Sequence, residues 1–298
     1  MTPRLNSFRS YLFIPSGNER FISKALSASE REAPDAIILD LEDSIPVNEK
    51  DTARSKLSSS IESIGKKIAV AVRVNASDTP FFDKDIIAAA REDIFAIFLP
   101  KTTGIRDIEL AQSLMNYSLK KKGRKKGSIK LVPMVENAAG ASSLKEICSY
   151  NADIAAVGFG AGDYALDMGL PWTKEGYEYQ IARMLIPLEA RAAERTAIDG
   201  VFMDLNDKES FRRDCMLSRR LGYSGRMVVH PDQVTIANEV YQPSKEEIEW
   251  AQRVVVAYEE AGKRGQGAVK VDGYLVDVLH YKLAKRILSE TGKQNRQT

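Results

Sequence analysis

The sequence of 298 residues has little cysteine and no long hydrophobic run. Its two cysteines, Cys148 and Cys215, are too few for a disulfide framework and are wrongly spaced for a cysteine-based zinc site. No run approaches the roughly 18 apolar residues that cross a bilayer, and the first ten residues hold no apolar signal core. We therefore expect a cytoplasmic protein without a membrane partner.

The chain also has no large excess of one charge sign, because its 43 Lys and Arg residues nearly balance its 41 Asp and Glu residues, for a net charge of +2. Such a chain lacks the electrostatic footprint of a protein that binds nucleic acid, so we expect no such partner. One basic run, from Lys120 to Lys126, is interrupted by glycine and contains no aromatic residue. We interpret it as a solvated loop between a helix and a strand.

What the chain does have is a series of short apolar runs separated by segments of helical periodicity. Near-continuous apolar runs are typical of parallel strands that are buried on both faces. Eight strand–helix units over roughly 240 residues predict the α/β class and a (β/α)8 TIM barrel. A doubly wound open sheet is the alternative, but no G-x-G-x-x-G follows the first run. The runs are Tyr11–Pro15, Ala36–Asp40, Ile68–Asn75, Ile94–Pro100, Ile129–Val135, Ile154–Phe159, Ala197–Asp199 and Arg226–His230.

The tail has a different pattern, so we expect a barrel over residues 1–242 and a C-terminal lid over residues 243–298. Ser244 and Glu247 have the spacing of a capping box at a helix start. Asp272-Gly273 predicts the turn of a β-hairpin, and a closing helix follows it. We expect this segment to be too small to hold its own core, and therefore to act as a lid or an arm on another subunit.

Ionisable residues follow nearly every predicted strand. The carboxyl ends of barrel strands converge on one mouth, where active sites form. Carboxylates crowded there repel one another unless a cation is present, and with no cysteine nearby their hard oxygens favour Mg²⁺ or Mn²⁺. The strand-end residues are Asp40, Glu42, Asp43, Arg73, Asn75, Lys101, Glu136, Asn137, Asp163, Asp199 and His230.

Four of the acidic residues in this set form two pairs. Glu136 precedes small residues, and Asp163 follows a glycine-rich segment in which the backbone can approach a ligand, so we expect this pair to bind a metal or ligand. For Glu42 and Asp43 two interpretations stay open. They either serve a metal site or form an ordinary salt-bridged loop with Lys50 or Arg54.

The basic residues differ in their expected places. Arg73 ends a buried strand, where a guanidinium needs an anion, and its planar fork suits a substrate carboxylate. Arg9 precedes the first strand, so the pattern alone places it at the opposite rim. His230 is interpreted as a capping or hydrogen-bonding residue.

Taken in order, motifs along nearly the whole chain resemble the citrate lyase β-subunit-like family of the HpcH/HpaI aldolase superfamily. This family includes malyl-CoA, citramalyl-CoA and citryl-thioester lyases. The matching segments are residues 9–18, Lys24-Ala25, residues 39–44, Lys50, Ala53-Arg54, residues 72–75, residues 99–101, Glu136, residues 158–163, residues 229–233 and residues 272–277.

The resemblance implies a (β/α)8 barrel whose C-terminal lid reaches the active site of a neighbouring subunit in a homotrimer or homohexamer. It implies that Glu136 and Asp163 bind Mg²⁺. It also implies that Glu42 and Asp43 order metal-bound water.

The same resemblance implies a reversible Claisen-type lyase that cleaves a 3-hydroxy-3-carboxy acyl-CoA, such as malyl-CoA or citramalyl-CoA, into an acyl-CoA and a 2-oxo acid. Arg73 would contact the substrate's oxygens, and Arg9 would lie near the substrate rather than at the far rim. Asp277 would move the proton on the thioester's α-carbon. From the residues alone, Asp277 would be a salt bridge at a hairpin end.

Two other functions remain open, and two more are disfavoured. A malyl-CoA thioesterase could use the same scaffold, and so could the citryl-thioester lyase subunit of a citrate lyase complex. A non-catalytic subunit is disfavoured by the intact set of site residues. The CoA-independent aldolase branch is expected to use a histidine near the amino terminus, and no histidine precedes His230.

Overall fold

The computed structural model describes residues 5–90, 93–125, 127–151, 153–171, 173 and 175–294. The chain divides into two compact units, Met1–Asn238 and Glu239–Thr298. Among the described helices, none combines the length and the apolar character that a membrane span requires.

The first unit is a closed barrel of eight parallel strands, in which each strand pairs with its neighbours in the sequence and β8 pairs with β1. This confirms the predicted (β/α)8 TIM barrel. The strands are β1 (Ser10–Pro15), β2 (Ala36–Asp40), β3 (Ala69–Arg73), β4 (Ala96–Leu99), β5 (Lys130–Val135), β6 (Ala156–Phe159), β7 (Thr196–Asp199) and β8 (Gly225–Val228).

The barrel interior is filled by alternate residues of the strands, since side chains of a strand point to its two faces in turn. One buried cluster unites Tyr11, Ile38, Phe98, Met134 and Met227 from five strands. The residues between them face the surrounding helices, which explains why the sequence runs are almost continuously apolar. A packed interior leaves only the strand ends for a site.

Helices follow the strands around the barrel. They are α1 (Glu19–Leu26), α2 (Lys50–Ser55), α3 (Leu57–Ile64), α4 (Phe82–Ala89), α5 (Ile105–Lys121), α6 (Ala138–Ser142), α7 (Leu144–Ser149), α8 (Ala161–Asp167), α9 (Gln180–Ala192), α10 (Lys208–Leu221) and α11 (Pro231–Val240). Short 3-10 helices lie at Leu5–Ser7, Val47–Glu49 and Tyr177–Tyr179. The basic run begins in the last turn of α5, and its last member, Lys126, lies outside the described residues.

The second unit holds two long helices, α12 (Lys245–Lys263) and α13 (Val278–Gln294), and a hairpin of β9 (Val269–Val271) and β10 (Tyr274–Val276). The capping box at Ser244 is present, and Asp272 and Gly273 both have positive φ angles, as the predicted hairpin turn requires. The expectation that this segment has no core is wrong. Residues from both helices and both strands form a buried cluster, comprising Ala251, Val254, Val271, Val276 and Ala284.

Candidate active site

The carboxyl ends of the strands form the mouth of the barrel, and the inward-facing series of several strands ends there in a charged side chain. Asp40 comes two residues after inward-facing Ile38, and Glu136 comes two residues after Met134. Arg73 continues the inward face of β3 in the same way. Because side chains alternate with a period of two, these three charged groups face one another above the apolar interior.

Arg73 is held by Asp40, its partner in the register between β2 and β3. Its Nε and Nη2 atoms donate to the two oxygens of Asp40, each over 2.7 Å, and its guanidinium lies 4.5 Å from the ring centre of Phe13. Burial alone would raise the pKa of Asp40, but the charge of Arg73 lowers it below the ordinary value. The chain itself therefore supplies the anion that the buried guanidinium needs.

The remaining guanidinium nitrogen of Arg73 faces the loop after β2. Its Nη1 atom lies 3.1 Å from Glu42 and 3.2 Å from Asp43, whose side chain is 53% exposed. Nε and Nη2 are engaged by Asp40, so Nη1 is the guanidinium nitrogen that faces the acidic loop after β2.

The alternative pairing of Glu42 and Asp43 with Lys50 or Arg54 is wrong. The ammonium of Lys50 donates instead to the main-chain carbonyl groups of residues 41 and 42, over 2.9 and 2.7 Å. Arg54 points away and pairs with buried Asp85 over 2.5 Å. Lys50 therefore stabilises the loop after β2, while the two carboxylates face Arg73 and Lys101.

Glu136 is almost completely buried at the end of β5. Its Oε2 atom accepts a hydrogen bond of 2.7 Å from the main-chain N–H of Lys101, and it packs against Gly160. A Cβ atom at Gly160 would lie only 2.4 Å from Oε1 of Glu136. Burial, together with the charges of Glu42 and Asp163, raises the pKa of Glu136 to about 8. The positive charge of Arg73 therefore does not offset the cost of burying an ionised carboxylate at Glu136.

Asp163 lies in the first turn of α8, just after β6, and is 38% exposed. The ammonium of Lys101 lies 3.8 Å from its Oδ1 atom, 2.8 Å from Glu42 and 3.7 Å from Asp43. Burial lowers the pKa of Lys101, but the hydrogen bond to Glu42 and the surrounding carboxylates raise it above the ordinary value. The ammonium of Lys101 thus connects the acidic groups that follow two strands, β2 and β6.

Glu136 and Asp163 border one cavity of about 550 Å³ at the mouth. Two oxygen ligands with the other positions left to water and substrate are the usual way in which proteins hold Mg²⁺. Within the described ranges, no group of three or more His, Cys, Asp or Glu side chains is arranged to hold a metal. Glu136 and Asp163 both line this cavity, and their carboxylate oxygens are ligands of the kind that Mg²⁺ prefers. The lining residues are Ser77, Asp78, Lys101, Thr103, Asp107, Glu136, Asn137, Ala139, Asp163, Leu166 and Asp167.

The structure does not bring Arg9 to the mouth. Arg9 precedes β1 and pairs with Asp35, which precedes β2, through two side-chain hydrogen bonds of 2.8 Å. Both residues lie at the amino ends of their strands, whereas the cavity lies at the carboxyl ends. The position expected from the strand pattern is therefore observed, and the position implied by the resemblance is not.

The two other predicted residues have local partners. His230 follows β8, and its Nδ1 atom accepts a hydrogen bond from the main-chain N–H of Asp232, which agrees with its interpretation as a capping residue. Asp277 belongs to the second unit, where it accepts hydrogen bonds from main-chain N–H groups at the start of α13 and lies 2.7 Å from His280. The hydrogen bond between the side chains of His280 and Asp277 lowers the pKa of Asp277.

Sequence reasoning gave no role to two residues that organise this site, Asp40 and Lys101. Asp40 could have been found, because the register of neighbouring parallel strands brings it beside Arg73. Lys101 gives no such signal. Its φ angle of 51° is unusual for a residue other than glycine, and nothing in the local sequence shows it.

The chain is similar to known proteins over most of its length. A sequence model of the family described as HpcH/HpaI aldolase/citrate lyase matches residues 9–231. A (3S)-malyl-CoA thioesterase from Cereibacter sphaeroides is 34% identical, covering 97% of this chain and 96% of that protein. Citrate lyase subunit beta from Leuconostoc mesenteroides subsp. cremoris is 33% identical, covering 90% of this chain and 88% of that protein.

A solved structure is also similar to this chain. CitE from Mycobacterium tuberculosis, in complex with magnesium, acetoacetate and coenzyme A, is 26% identical and superposes with a TM-score of 0.77. The match covers 95% of this chain and 97% of that one. It therefore extends beyond the barrel into the C-terminal unit.

Proposed function

This chain belongs to the HpcH/HpaI aldolase/citrate lyase family, and from that premise we propose that it is a Mg²⁺-dependent carbon–carbon lyase. The substrate would be a 3-hydroxy-3-carboxy acyl-CoA such as malyl-CoA or citramalyl-CoA, and the products an acyl-CoA and a 2-oxo acid. The observation that carries the proposal is that Glu136 and Asp163 line one cavity beside the Lys101 ammonium. The magnesium and coenzyme A of the CitE structure support it.

Glu136 and Asp163 would hold Mg²⁺, or Mn²⁺ in its place. When bound, the ion would supply a Lewis acid for the substrate's hydroxyl and carboxylate oxygens. Glu136 is fixed for this task by the Lys101 N–H, and Asp163 by its place in the first turn of α8.

The substrate's hydroxyl group would give its proton to water held by Glu42 and Asp43, and Arg73 would stabilise the alkoxide oxygen that results before the carbon–carbon bond breaks. Asp40 holds two guanidinium nitrogens, so Nη1 has a fixed direction and needs no reorganisation during the reaction. Bond cleavage releases the 2-oxo acid and leaves a thioester enolate. Glu42 and Asp43, which share Nη1, would orient water at the same place.

The enolate needs a proton, and we propose Asp277 of a neighbouring subunit as the general acid. This assignment follows from the family resemblance and predicts activity in a mixture of two inactive variants. Asp163→Asn and Asp277→Asn subunits, unfolded and reassembled together, should regain about a quarter of the wild-type activity if each site uses two subunits. No recovery would contradict the shared site.

A thioesterase is the second candidate, because the similar Cereibacter sphaeroides protein is named a (3S)-malyl-CoA thioesterase. A third is a subunit of a citrate lyase complex, as the Leuconostoc relative is named. Malyl-, citramalyl- and citryl-CoA should be incubated with the protein and Mg²⁺, and both products measured. A lyase releases a 2-oxo acid and no free thiol, whereas a thioesterase releases CoA thiol.

Variants connect that assay to the site. Asp163→Asn should abolish turnover of the accepted thioester, because it removes one of two proposed metal ligands. Asp83→Asn, which removes an exposed carboxylate in the first turn of α4, is the matched control and should leave turnover unchanged. Full activity of Asp163→Asn would overturn the proposed site.

A further inference from the structure

The main chain and the side chain of Lys101 contact different acidic residues. Its N–H holds Glu136 over 2.7 Å, at a φ angle of 51° that places the peptide beside the carboxylate. Its side chain extends to the other acidic groups and contacts Glu42 over 2.8 Å. A substitution that keeps the main chain can therefore remove the ammonium without removing the hydrogen bond to Glu136.

The two cations of the mouth differ in how firmly they are held. Arg73 is buried, stacked on Phe13 and bound by both oxygens of Asp40. The Lys101 side chain is 39% exposed and ends among carboxylates from different elements. Its flexible stem and compact ammonium can move to a different carboxylate at little cost, which a fork held in two hydrogen bonds cannot do.

The position of the ammonium is also informative. It lies 3.8 Å from Asp163, which is one of the two residues proposed to hold the metal, and it is closest to Glu42. A divalent cation on Asp163 and the ammonium would repel each other at that separation. Glu42 and Asp43 offer the lysine an alternative position, since it already contacts both.

We propose that the Lys101 ammonium is an internal counter-cation for the carboxylates of Glu42, Asp43 and Asp163 when no metal is bound. It would move away from Asp163 when a divalent metal binds there. This inference rests on the proposed function, because it assumes the metal site at Glu136 and Asp163. Lys101 is then a positioning residue. Its charge stabilises the neighbouring carboxylates of Glu42, Asp43 and Asp163 when no metal is bound and lowers the affinity for the metal. The ammonium stays with Glu42 and Asp43 once the metal binds.

The test is a Mn²⁺ titration of metal-free protein, without substrate, followed by the electron paramagnetic resonance signal of the free ion. Lys101→Met should bind Mn²⁺ about tenfold more tightly than the wild type, because a nearby positive charge is lost. Lys101→Arg, which keeps the charge, should restore weaker binding. Lys145→Met, which removes an exposed charge on α7, should leave the affinity unchanged.

If Lys101 only supported the structure, the opposite result would be expected. Its loss would disorder the carboxylates of Glu42, Asp43 and Asp163, and the variant would bind Mn²⁺ less tightly. Equal or weaker binding by Lys101→Met would overturn the inference. The wild type and Asp163→Asn separate this result from a failure of the proposed function. If those two proteins bind Mn²⁺ equally, the metal site itself is wrong, and the inference falls with it.

Discussion

At the scale of single residues, Gly160 shows how closely the main chain approaches the acidic side chains. Its φ angle of −112° is accessible to any residue, so an alanine there would be tolerated by the backbone. The added Cβ would nevertheless lie 2.4 Å from Glu136 Oε1. The substitution would therefore displace the carboxylate of Glu136 rather than strain the main chain.

Gly160→Ala should thus displace Glu136 and lower turnover of the accepted thioester about 100-fold, since a misplacement of about 1 Å has that effect. Steady-state kinetics and a Mn²⁺ titration should both register the change. Gly262→Ala, at a position in α12 where a Cβ meets no atom within 4 Å, is the control and should behave like the wild type. Normal activity of Gly160→Ala would show that Glu136 has no fixed role.

The raised pKa of Glu136 predicts how metal binding depends on pH. Below about 8 the carboxyl group is protonated, so the metal must displace a proton. Affinity for Mn²⁺ should therefore rise with pH, about tenfold per unit between pH 6 and 8, and become constant above this range. Glu136→Gln should bind weakly at every pH. An affinity for the wild type that is independent of pH would contradict the assignment.

The same shift has a consequence for the stability of the metal-free protein. The pKa of Glu136 is higher in the folded state than its ordinary value of 4.5, so the folded state retains a proton that the unfolded state loses. The free energy of unfolding should decline as pH rises from about 4.5 to about 8. Saturating Mg²⁺ should offset this decline because it binds the ionised folded form.

At the scale of elements, a buried ionic network joins the last third of the barrel. Asp214 on α10 pairs with Arg183 on α9 over 2.8 Å and with Arg226 on β8 over 2.5 Å. Arg183 also binds Asp199 at the end of β7 over 2.6 Å. Two helices and two strands are therefore connected through charges that have little access to water.

Asp214→Asn should lower the free energy of unfolding by about 3 kcal/mol, because it leaves two buried guanidinium groups with one fewer partner. Burial alone would raise the pKa of Asp214, but Arg226 and Arg183 hold it at about 2. Its contribution is thus present above about pH 4 and is lost as pH falls through about 2. Urea unfolding at neutral and acidic pH measures both effects.

The exposed pair of Lys208 and Asp232 provides the control for that experiment. Asp232→Asn should cost less than about 1 kcal/mol, because water screens the pair. An equal effect of the two substitutions would mean that the buried network is not special.

Much of the element order could be predicted, and the reason is physical. Strands of a closed parallel barrel are buried on both faces, so Ala36–Asp40 and Lys130–Val135 are largely apolar runs that end at, or directly before, a carboxylate. Strand bounds shifted by a residue or two because hydrogen bonds, not hydropathy, end a strand. The small core of the C-terminal unit was missed since Ala251, Val254 and Ala284 form no conspicuous apolar run.

The site was predicted less completely than the elements. The positions of Glu136 and Asp163 follow from strand ends, which the sequence shows directly. The partners of Arg73 and Lys101 depend on which side chains reach across neighbouring strands, and this is a property of the closed barrel. Arg9 shows the reverse case, because the strand pattern placed it better than the resemblance did.

At the scale of the whole molecule, α9 has an apolar outer stripe in addition to its buried face. Ile181, Met184, Leu185 and Leu188 are all exposed, with Ile181 at 78%. Apolar residues at this helical spacing on an outer face are typical of a surface that another chain covers. We predict that this stripe is buried between subunits in the homotrimer or homohexamer that the family resemblance implies.

A double substitution, Ile181→Lys with Leu188→Lys, should convert the oligomer to monomers, since charges would have to be buried in the interface. Light scattering after size-exclusion chromatography measures the mass directly. Leu110→Lys, at an exposed position of α5, is the control and should leave the mass unchanged. An unchanged mass of the double variant would mean that this stripe is not the interface.

The central claim, that Glu136 and Asp163 form a metal site for carbon–carbon cleavage, is tested most directly by metal removal. The protein is stripped with EDTA and given malyl-CoA or whichever thioester it accepts, and the 2-oxo acid is measured before and after Mg²⁺ is restored. We predict no 2-oxo acid from the stripped protein and full release once Mg²⁺ returns, with no release from Asp163→Asn. Undiminished release from the stripped protein would contradict the claim.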